Sequence, residues 1–178
     1  AGGLPVAEIT FRTAAAEATI REAAKRFPEM ILGAGTILTA EQMRKAVDAG
    51  ARFAVAPGCN PTTIAAAREC GMPFAPGVCT PSDVERAVEM GCSLLKFFPA
   101  EAAGGVAMLK ALLGPYGHLG ISFCPTGGVT TGNLAEYLAI PQVAFVGGTW
   151  VAKKELIKAG RWDDIAAVAA AAVAAAKR

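Results

Sequence analysis

The sequence has little net charge and no long apolar run, and each absence excludes a class of protein. Its 178 residues include 17 Lys and Arg against 15 Asp and Glu, and no run of like charge is longer than a pair. This balance argues against binding to nucleic acid or to an anionic membrane surface. The longest apolar run, residues 165–176, is mostly alanine and is shorter than the roughly 20 residues that cross a bilayer. We therefore expect no nucleic-acid partner and no membrane span.

Histidine and paired cysteines are also scarce. The five cysteines are odd in number, none stands in a C-x-x-C pair, and His118 is the only histidine. This composition argues against a disulfide framework and against a zinc site built from Cys and His. We expect buried, reduced thiols in a cytoplasmic protein.

Apolar residues are abundant enough for one folded domain. Hydrophobic residues make up 53% of the chain and charged residues 18%, which excludes disorder. Short segments rich in β-branched or aromatic residues, five of the seven ending in Gly, Pro or Thr, predict strands. The predicted strands are Leu4–Phe11, Met30–Gly35, Phe53–Pro57, Pro73–Val78, Ser93–Pro99, Ile121–Thr126 and Gln142–Gly148.

The segments between these strands carry the start and stop signals of helices. Thr39 with Gln42 predicts a capping box, and two prolines stand where first helical turns are expected. Three glycines stand where helices should end. These residues are Pro61, Pro81, Gly50, Gly71 and Gly91.

The alternation of strand and helix predicts the fold class. Corresponding positions of the seven strands recur every 20 to 28 residues. Strands that are apolar on both faces and joined by helices run parallel beneath a helical layer. Without a Rossmann glycine fingerprint after the first strand, seven such units favour an α/β fold of the TIM-type (β/α)8 barrel over a doubly wound sheet. Because a barrel needs eight units, we expect one barrel domain over 1–178 that lacks its first β/α unit, with Ala1-Gly2-Gly3 as the end of a lost helix.

Polar residues interrupt the first predicted strand on one face. Glu8, Thr10 and Arg12 share one parity, whereas Ile9 and Phe11 share the other, where contacts with helices are expected. A Glu and an Arg that point into a barrel are costly unless they are paired or used. Four residues along a strand separate them by roughly 13 Å, so they cannot neutralise each other directly. We therefore favour a functional role over a buried ion pair.

A single lysine stands in the middle of the apolar strand Ser93–Pro99. Lys96 has Leu94, Leu95, Phe97 and Phe98 around it in sequence. The structural alternative is a lysine that snorkels from a strand edge. Burial favours the neutral amine, which is a nucleophile toward a carbonyl carbon. A barrel lysine with an inward Glu as a proton shuttle is the arrangement of a class I aldolase.

Glycine pairs follow the last two predicted strands. The segments are Pro125-Thr126-Gly127-Gly128 and Gly147-Gly148-Thr149-Trp150. Glycines let backbone N–H groups approach an anion, and the loops after the last two strands of a barrel commonly bind phosphate. Either pair alone could be a tight turn, but two in succession predict a phosphate site.

Together these residues resemble the bacterial 2-keto-3-deoxy-6-phosphogluconate (KDPG) and 4-hydroxy-2-oxoglutarate (KHG) aldolase family. The matching motifs span nearly the whole chain and are specific in combination. They are Glu8-Ile9-Thr10-Phe11-Arg12-Thr13, Gly33-Ala34-Gly35-Thr36, Ala56-Pro57-Gly58, Lys96-Phe97-Phe98-Pro99-Ala100-Glu101, Cys124-Pro125-Thr126-Gly127-Gly128 and Gly147-Gly148-Thr149-Trp150.

The resemblance implies a role for each matched site residue. Lys96 resembles the Schiff-base lysine and Glu8 the general acid and base. Arg12 and Thr36 resemble the pair that holds the pyruvate carboxylate. The remaining substrate-binding residues implied are Pro57, Phe98 as a wall of the pyruvyl group, and Thr126, which helps to set stereochemistry. The implied phosphate cradle is Gly127, Gly128, Gly148 and Thr149, with Thr149 where many relatives carry Ser.

The resemblance also implies an activity, a lyase reaction in carbohydrate metabolism. A class I aldolase of this family cleaves KDPG to pyruvate and glyceraldehyde 3-phosphate, and KHG to pyruvate and glyoxylate. It implies no metal and no other cofactor, a small 2-keto acid or phosphorylated sugar acid as substrate, and a homotrimer.

Two other functions remain open from the residues alone. A phosphosugar isomerase or epimerase would also combine a small barrel with a phosphate cradle, but would form no imine. A weakly active scaffold is the second alternative, because the first unit is expected to be missing.

Overall fold

The structure, a computed structural model, describes residues 2–176, in which strands and helices alternate. The strands are β1 (Val6–Thr10), β2 (Ile31–Gly35), β3 (Phe53–Val55), β4 (Phe74–Ala75), β5 (Gly77–Val78), β6 (Leu94–Phe97) and β7 (Ser122–Phe123). The helices are α1 (Ala16–Arg26), α2 (Ala40–Asp48), α3 (Pro61–Glu69), α4 (Pro81–Glu89), α5 (Gly105–Tyr116), α6 (Leu134–Leu138), α7 (Lys154–Lys158) and α8 (Trp162–Ala176), with a 3-10 turn at Gly117–Leu119.

The helix boundaries follow the signals in the sequence. Pro61 and Pro81 occupy first turns, and the glycines at 50, 71 and 91 have left-handed φ angles of 94°, 62° and 77° just after α2, α3 and α4. The Thr39 side chain accepts from the Gln42 N–H at 3.1 Å, but Gln42 Oε1 accepts from Leu38 N–H. The predicted box at the start of α2 is therefore only half formed.

The chain divides into two compact units, Pro5–Lys96 and a second that comprises described residues 2–4 and 97–176. We call them the N-terminal and C-terminal units. In the N-terminal unit, a sheet has the order β1-β2-β3-β4 with parallel neighbours. β1 and β2 pair from Val6↔Ile31 to Thr10↔Gly35. Their carboxyl ends therefore lie side by side.

The core of the N-terminal unit lies between this sheet and its helices. It contains Ile20 from α1, Met43 from α2 and Ala66 from α3, all nearly or fully buried. Ile9 and Phe11 pack against this cluster. This confirms the predicted parity of β1, because the apolar face of the strand meets the helices and leaves Glu8 on the other face.

The fourth and seventh predicted strands differ from the expectation. Pro73–Val78 is split into β4 and β5 at Pro76, which has no N–H to donate to a strand ladder. Gln142–Gly148 forms only the parallel bridges Phe123↔Val143 and Thr126↔Gly147. Its donors to the segment that contains β7 are the N–H groups of Ala144 and Gly147, which bond to the carbonyls of Phe123 and Pro125. These donors are three residues apart instead of two, so the segment does not form a regular ladder.

The cysteines are free, as expected, but only Cys124 is buried, and the other four are half-buried. Those four stand beside turns and helix ends rather than in the core. In residues 2–176, no helix combines the length and apolarity that a membrane span requires. The same residues contain no group of three or more His, Cys, Asp or Glu side chains placed to hold a metal. A single domain that lacks its first unit stays a prediction, and Ala1 lies outside the described residues.

Candidate active site

Lys96 is buried in β6 between two fully buried residues. Leu95 and Phe97 are 0% exposed, and the Lys96 side chain is 8% exposed. The Lys96 N–H donates to the Pro76 carbonyl at 2.8 Å, which fixes the backbone of the strand. Its side-chain nitrogen Nζ lies 3.9 Å from Oε2 of Glu8. The structure thus brings the predicted nucleophile and the predicted acid and base together.

Glu8 owes its place to a glycine on the neighbouring strand. A Cβ built on Gly35 would lie 1.7 Å from Oε1 of Glu8 and 2.5 Å from its carboxyl carbon. The carboxyl group therefore lies directly on the Gly35 backbone, where no other residue leaves room. Gly35 lies in the Gly33-Ala34-Gly35-Thr36 motif, but the sequence alone does not predict which side chain it contacts.

Two predicted carboxylate-binding residues follow the ends of β1 and β2. The Phe11 N–H donates to the Gly35 carbonyl at 2.7 Å, so the pairing continues to the residues just before Arg12 and Thr36. Arg12 is exposed, and its Nε donates to Thr10 Oγ1 at 3.2 Å. Thr10 shares the parity of Glu8 and Arg12, and its hydroxyl fixes the direction of the guanidinium group.

Thr36 has an unusual backbone conformation. Its φ angle is +58°, the only positive φ of a non-glycine residue in the described chain. A β-branched residue in the left-handed region costs about 1–3 kcal/mol and is typical of functional sites. This backbone conformation supports Thr36 as a candidate functional residue.

Pro57 lies at the wall of a cavity of about 250 Å³ within the N-terminal unit. Ile37, Leu38 and Asn60 also line this cavity. A Cβ on Gly77 would lie 2.2 Å from the carbonyl carbon and oxygen of Pro57, so β5 can approach Pro57 only through a glycine. Gly77 is a second positioning residue that sequence reasoning missed.

In the C-terminal unit, Phe98 and Thr126 flank the glycines that follow β7. A Cβ on Gly127 would lie 3.3 Å from Cδ2 and Cε2 of Phe98. The Thr126 hydroxyl donates weakly to the Cys124 carbonyl at 3.5 Å. A Cβ on Gly147 would lie 2.9 Å from Thr126 Oγ1, so the two glycine segments meet at this threonine.

The Gly127-Gly128 backbone presents two unpaired N–H groups on one side. The carbonyls of Thr126 and Gly127 accept from Ala100 and Glu101 N–H at 2.9 and 3.0 Å, and the Gly128 carbonyl accepts from Asn133 Nδ2 at 3.3 Å. These peptide bonds are trans, so each N–H points away from the carbonyl of its own peptide. The N–H groups of Gly127 and Gly128 make no hydrogen bond within residues 2–176. Two free backbone donors side by side are suited to an anion.

The second glycine segment has a different environment. A Cβ on Gly148 would lie 2.0 Å from Cζ3 of Trp150, so the indole ring lies against one side of this exposed glycine. Trp150 Nε1 is buried and has no hydrogen-bond partner in the described residues. Thr149 is exposed. This segment holds two of the predicted phosphate-binding residues, Gly148 and Thr149, beside an unpaired buried donor.

Some of the groups that position these residues had no signal in the sequence. Gly35 and Gly77 lie in predicted strands, where a glycine does indicate a close approach. Asn133, which holds the Gly128 carbonyl, had no such signal because its partner is a main-chain atom five residues away.

The chain is similar to known aldolases over nearly its whole length. Residues 1–168 match the family model described as KDPG and KHG aldolase. The 2-dehydro-3-deoxy-phosphogluconate aldolase of Haemophilus influenzae is 50% identical over 163 residues, which cover 92% of this chain and 76% of that protein. The KHG/KDPG aldolase of Escherichia coli strain K12 is 42% identical over 177 residues, covering 99% of this chain and 82% of that one.

A solved structure is similar as well. The crystal structure of the KDPG aldolase from Legionella pneumophila, with pyruvate captured at low pH as a covalent carbinolamine intermediate, matches with a TM-score of 0.92. The two chains are 41% identical, and the match covers 96% of this chain and 82% of the other.

Proposed function

The chain belongs to the KDPG and KHG aldolase family, and from that premise we propose that it cleaves KDPG to pyruvate and glyceraldehyde 3-phosphate through a Schiff base. Its fold class is the TIM-type α/β barrel of this family. The observation that carries the proposal is the buried amine of Lys96 at 3.9 Å from the Glu8 carboxyl group. An amine in this setting can attack a ketone while the carboxyl group moves the protons.

Imine formation is the first proposed stage. The Nζ electron pair of Lys96 attacks C2 of the substrate, and proton transfer through Glu8 gives a carbinolamine. Loss of water, with Glu8 as the acid, gives the iminium ion. The positive nitrogen is now conjugated to C3 and can accept an electron pair.

Cleavage of the C3–C4 bond is the second stage. Glu8, which is a carboxylate after the loss of water, removes the proton of the C4 hydroxyl group. The oxygen then forms the aldehyde, and the C3–C4 electrons move into the iminium to give an enamine. Glyceraldehyde 3-phosphate leaves. Glu8 protonates the enamine at the carbon that becomes the pyruvyl methyl, and water hydrolyses the imine to pyruvate and the free amine. The water lost in the first stage is returned, so the reaction consumes none.

The remaining residues bind the two ends of the substrate in this proposal. Arg12 and Thr36 hold the carboxylate, Arg12 through two parallel hydrogen bonds. Pro57 and Phe98 wall the pyruvyl group, and Thr126 orients the C4 hydroxyl group. The phosphate is held by the backbone N–H groups of Gly127, Gly128 and Gly148 and by the Thr149 hydroxyl. The free N–H groups of Gly127 and Gly128 support this assignment.

Borohydride trapping with pyruvate tests the proposal. We expect intact-mass analysis to show one reduced pyruvyl adduct, and peptide mapping to place it on Lys96. Lys96→Ala should lose the adduct and release no pyruvate from KDPG, whereas Lys110→Ala, at an exposed lysine of α5, should keep both. Pyruvate release from KDPG without any adduct would contradict the imine. The absence of both adduct and pyruvate release would contradict the aldolase and favour isomerase or epimerase chemistry.

We further propose cleavage of KHG to pyruvate and glyoxylate, a homotrimer and a cytoplasmic location. The E. coli relative, named a KHG/KDPG aldolase, supports the second substrate. Five free cysteines suit a reducing compartment. Equal rates on phosphorylated and phosphate-free sugar acids would contradict the phosphate cradle without contradicting the imine.

A further inference from the structure

A hydrogen bond joins the side chains of two residues that lie next to the Gly127-Gly128 loop. Tyr137 on α6 is 0% exposed, and its hydroxyl group donates to Oε1 of Glu101. Burial and the hydrogen bond to the Glu101 carboxylate both raise the pKa of Tyr137, so the hydroxyl group stays a donor. Glu101 precedes α5, and a Cβ on Gly105 would lie 3.2 Å from Oε1, so the carboxylate also lies at the start of that helix.

The carbon stem of Glu101 supports the loop directly. A Cβ on Gly128 would lie 2.6 Å from both Cβ and Cγ of Glu101. The Glu101 N–H also donates to the Gly127 carbonyl at 3.0 Å. Glu101 therefore contacts both glycines, one through its backbone and one through its side chain, and Tyr137 holds the end of that side chain.

We propose that the Glu101–Tyr137 hydrogen bond positions the Gly127-Gly128 N–H groups for a phosphate ester and so sets the preference for phosphorylated over phosphate-free 2-keto sugar acids. This inference rests on the proposed function, which supplies the substrate. Neither side chain touches the substrate: Glu101 is a positioning residue that acts through the two glycines, and Tyr137 acts through Glu101. No reacting atom depends on either residue.

Removal of the hydroxyl group tests the proposal with two substrates. Tyr137→Phe keeps the ring in its place and removes the donor. We expect the KM for KDPG to rise about tenfold, the scale of one hydrogen bond to a charged group, with kcat little changed. For the phosphate-free analogue 2-keto-3-deoxygluconate, KM and kcat should change less than twofold. Inorganic phosphate should lose potency as a competitive inhibitor of KDPG cleavage by the same factor.

Further variants separate positioning from folding. Glu101→Gln keeps an acceptor oxygen and the carbon stem, so it should retain most of the preference, whereas Glu101→Ala should lose it like Tyr137→Phe. Glu101 is exposed, so its alanine variant provides the test if Tyr137→Phe does not fold. Tyr116→Phe removes the other tyrosine hydroxyl of the chain and should leave the ratio of the KM values for the two substrates unchanged.

Two results would overturn the inference. An equal rise in KM for both substrates would show that the Glu101–Tyr137 hydrogen bond supports general stability. A lower melting temperature with an unchanged ratio of the two KM values would show the same. The proposed function fails separately, if the unaltered protein gives no borohydride adduct with pyruvate.

Discussion

At the scale of single residues, the candidate site depends on the absence of a side chain at position 35 as much as on the side chains present. The Glu8 carboxyl group occupies the space that a Cβ at Gly35 would fill, and it is from this place that it reaches Lys96. Proton transfer by a positioned group contributes about 10²–10⁴-fold to a rate. The backbone of β2 at Gly35 therefore helps to position the general acid and base.

Gly35→Ala should move Glu8 away from Lys96. We expect kcat for KDPG cleavage to fall by about 10²-fold or more, because a positioned general acid and base contributes at least that factor to the rate. Steady-state kinetics would measure this change, with far-ultraviolet circular dichroism to verify folding. Gly114→Ala is the matched control, because a Cβ there meets nothing within 4 Å. Unchanged kcat in Gly35→Ala would show that Glu8 does not act from this place.

Thr36 offers a second prediction at this scale. Thr36→Val keeps the β-branched shape and removes the hydroxyl group proposed to bind the carboxylate. We expect about tenfold more pyruvate to be needed for half-maximal borohydride trapping, since hydrogen bonds to charged groups are worth about 1.5–3 kcal/mol. Thr36→Ser keeps the hydroxyl group and should stay near the original value. Equal loss in both variants would assign the effect to backbone strain at φ +58°.

At the scale of elements, α4 begins with the most complete cap in the described chain. The Thr80 side chain accepts from the Asp83 N–H, and the Asp83 side chain accepts from Cys79 and Thr80 N–H groups at 3.1 and 3.0 Å. Burial acts to raise the pKa of Asp83, but the hydrogen bonds from Thr80 and Cys79 outweigh it and hold the pKa below the usual value.

Asp83 should therefore make stability depend on pH. A carboxyl group with a lowered folded-state pKa contributes its full stability above the unfolded value of about 3.9. That contribution is lost as pH falls through the folded-state pKa. Urea unfolding at pH 7 and at successively lower pH should show a smaller acid-dependent loss in Asp83→Asn than in the unaltered chain. The same loss in both would exclude Asp83 as a source.

Thr80→Ala tests the other half of the cap. It should lower the free energy of unfolding by about 1 kcal/mol, the usual value of an N-cap. Urea unfolding at pH 7 would measure it. Thr62→Ala, in the first turn of α3 where Asn60 provides the cap, is the control with a smaller expected effect.

The elements also show which structural features a local sequence pattern can predict and which it cannot. The buried lysine of β6, the parity of β1 and the proline starts of α3 and α4 follow from short-range chemistry, so the sequence predicts them. The split at Pro76 and the broken pairing of 142–148 depend on which neighbour supplies a hydrogen bond. Gly35 and Tyr137 act through partners 27 and 36 residues away, Glu8 and Glu101. A local pattern can indicate a close approach at a glycine, but it does not identify these distant partners.

At the scale of the whole molecule, the homotrimer is the remaining prediction. Sedimentation equilibrium should give three times the chain mass of 18.1 kDa across a tenfold range of concentration. A mass of one chain at every concentration would contradict it. Because Lys96 and Glu8 lie in one compact unit of one chain, we expect borohydride trapping to proceed at any assembly size.

The free N–H groups of Gly127 and Gly128 have a consequence for pH. A peptide N–H carries no formal charge and does not ionise in the physiological range, unlike the Lys or His side chains that bind phosphate elsewhere. The protein half of this contact is therefore the same at pH 5 and at pH 9. Only the ester changes, since its second ionisation lies near pH 6. Affinity for the phosphate end should thus follow the titration of the substrate and not that of the protein.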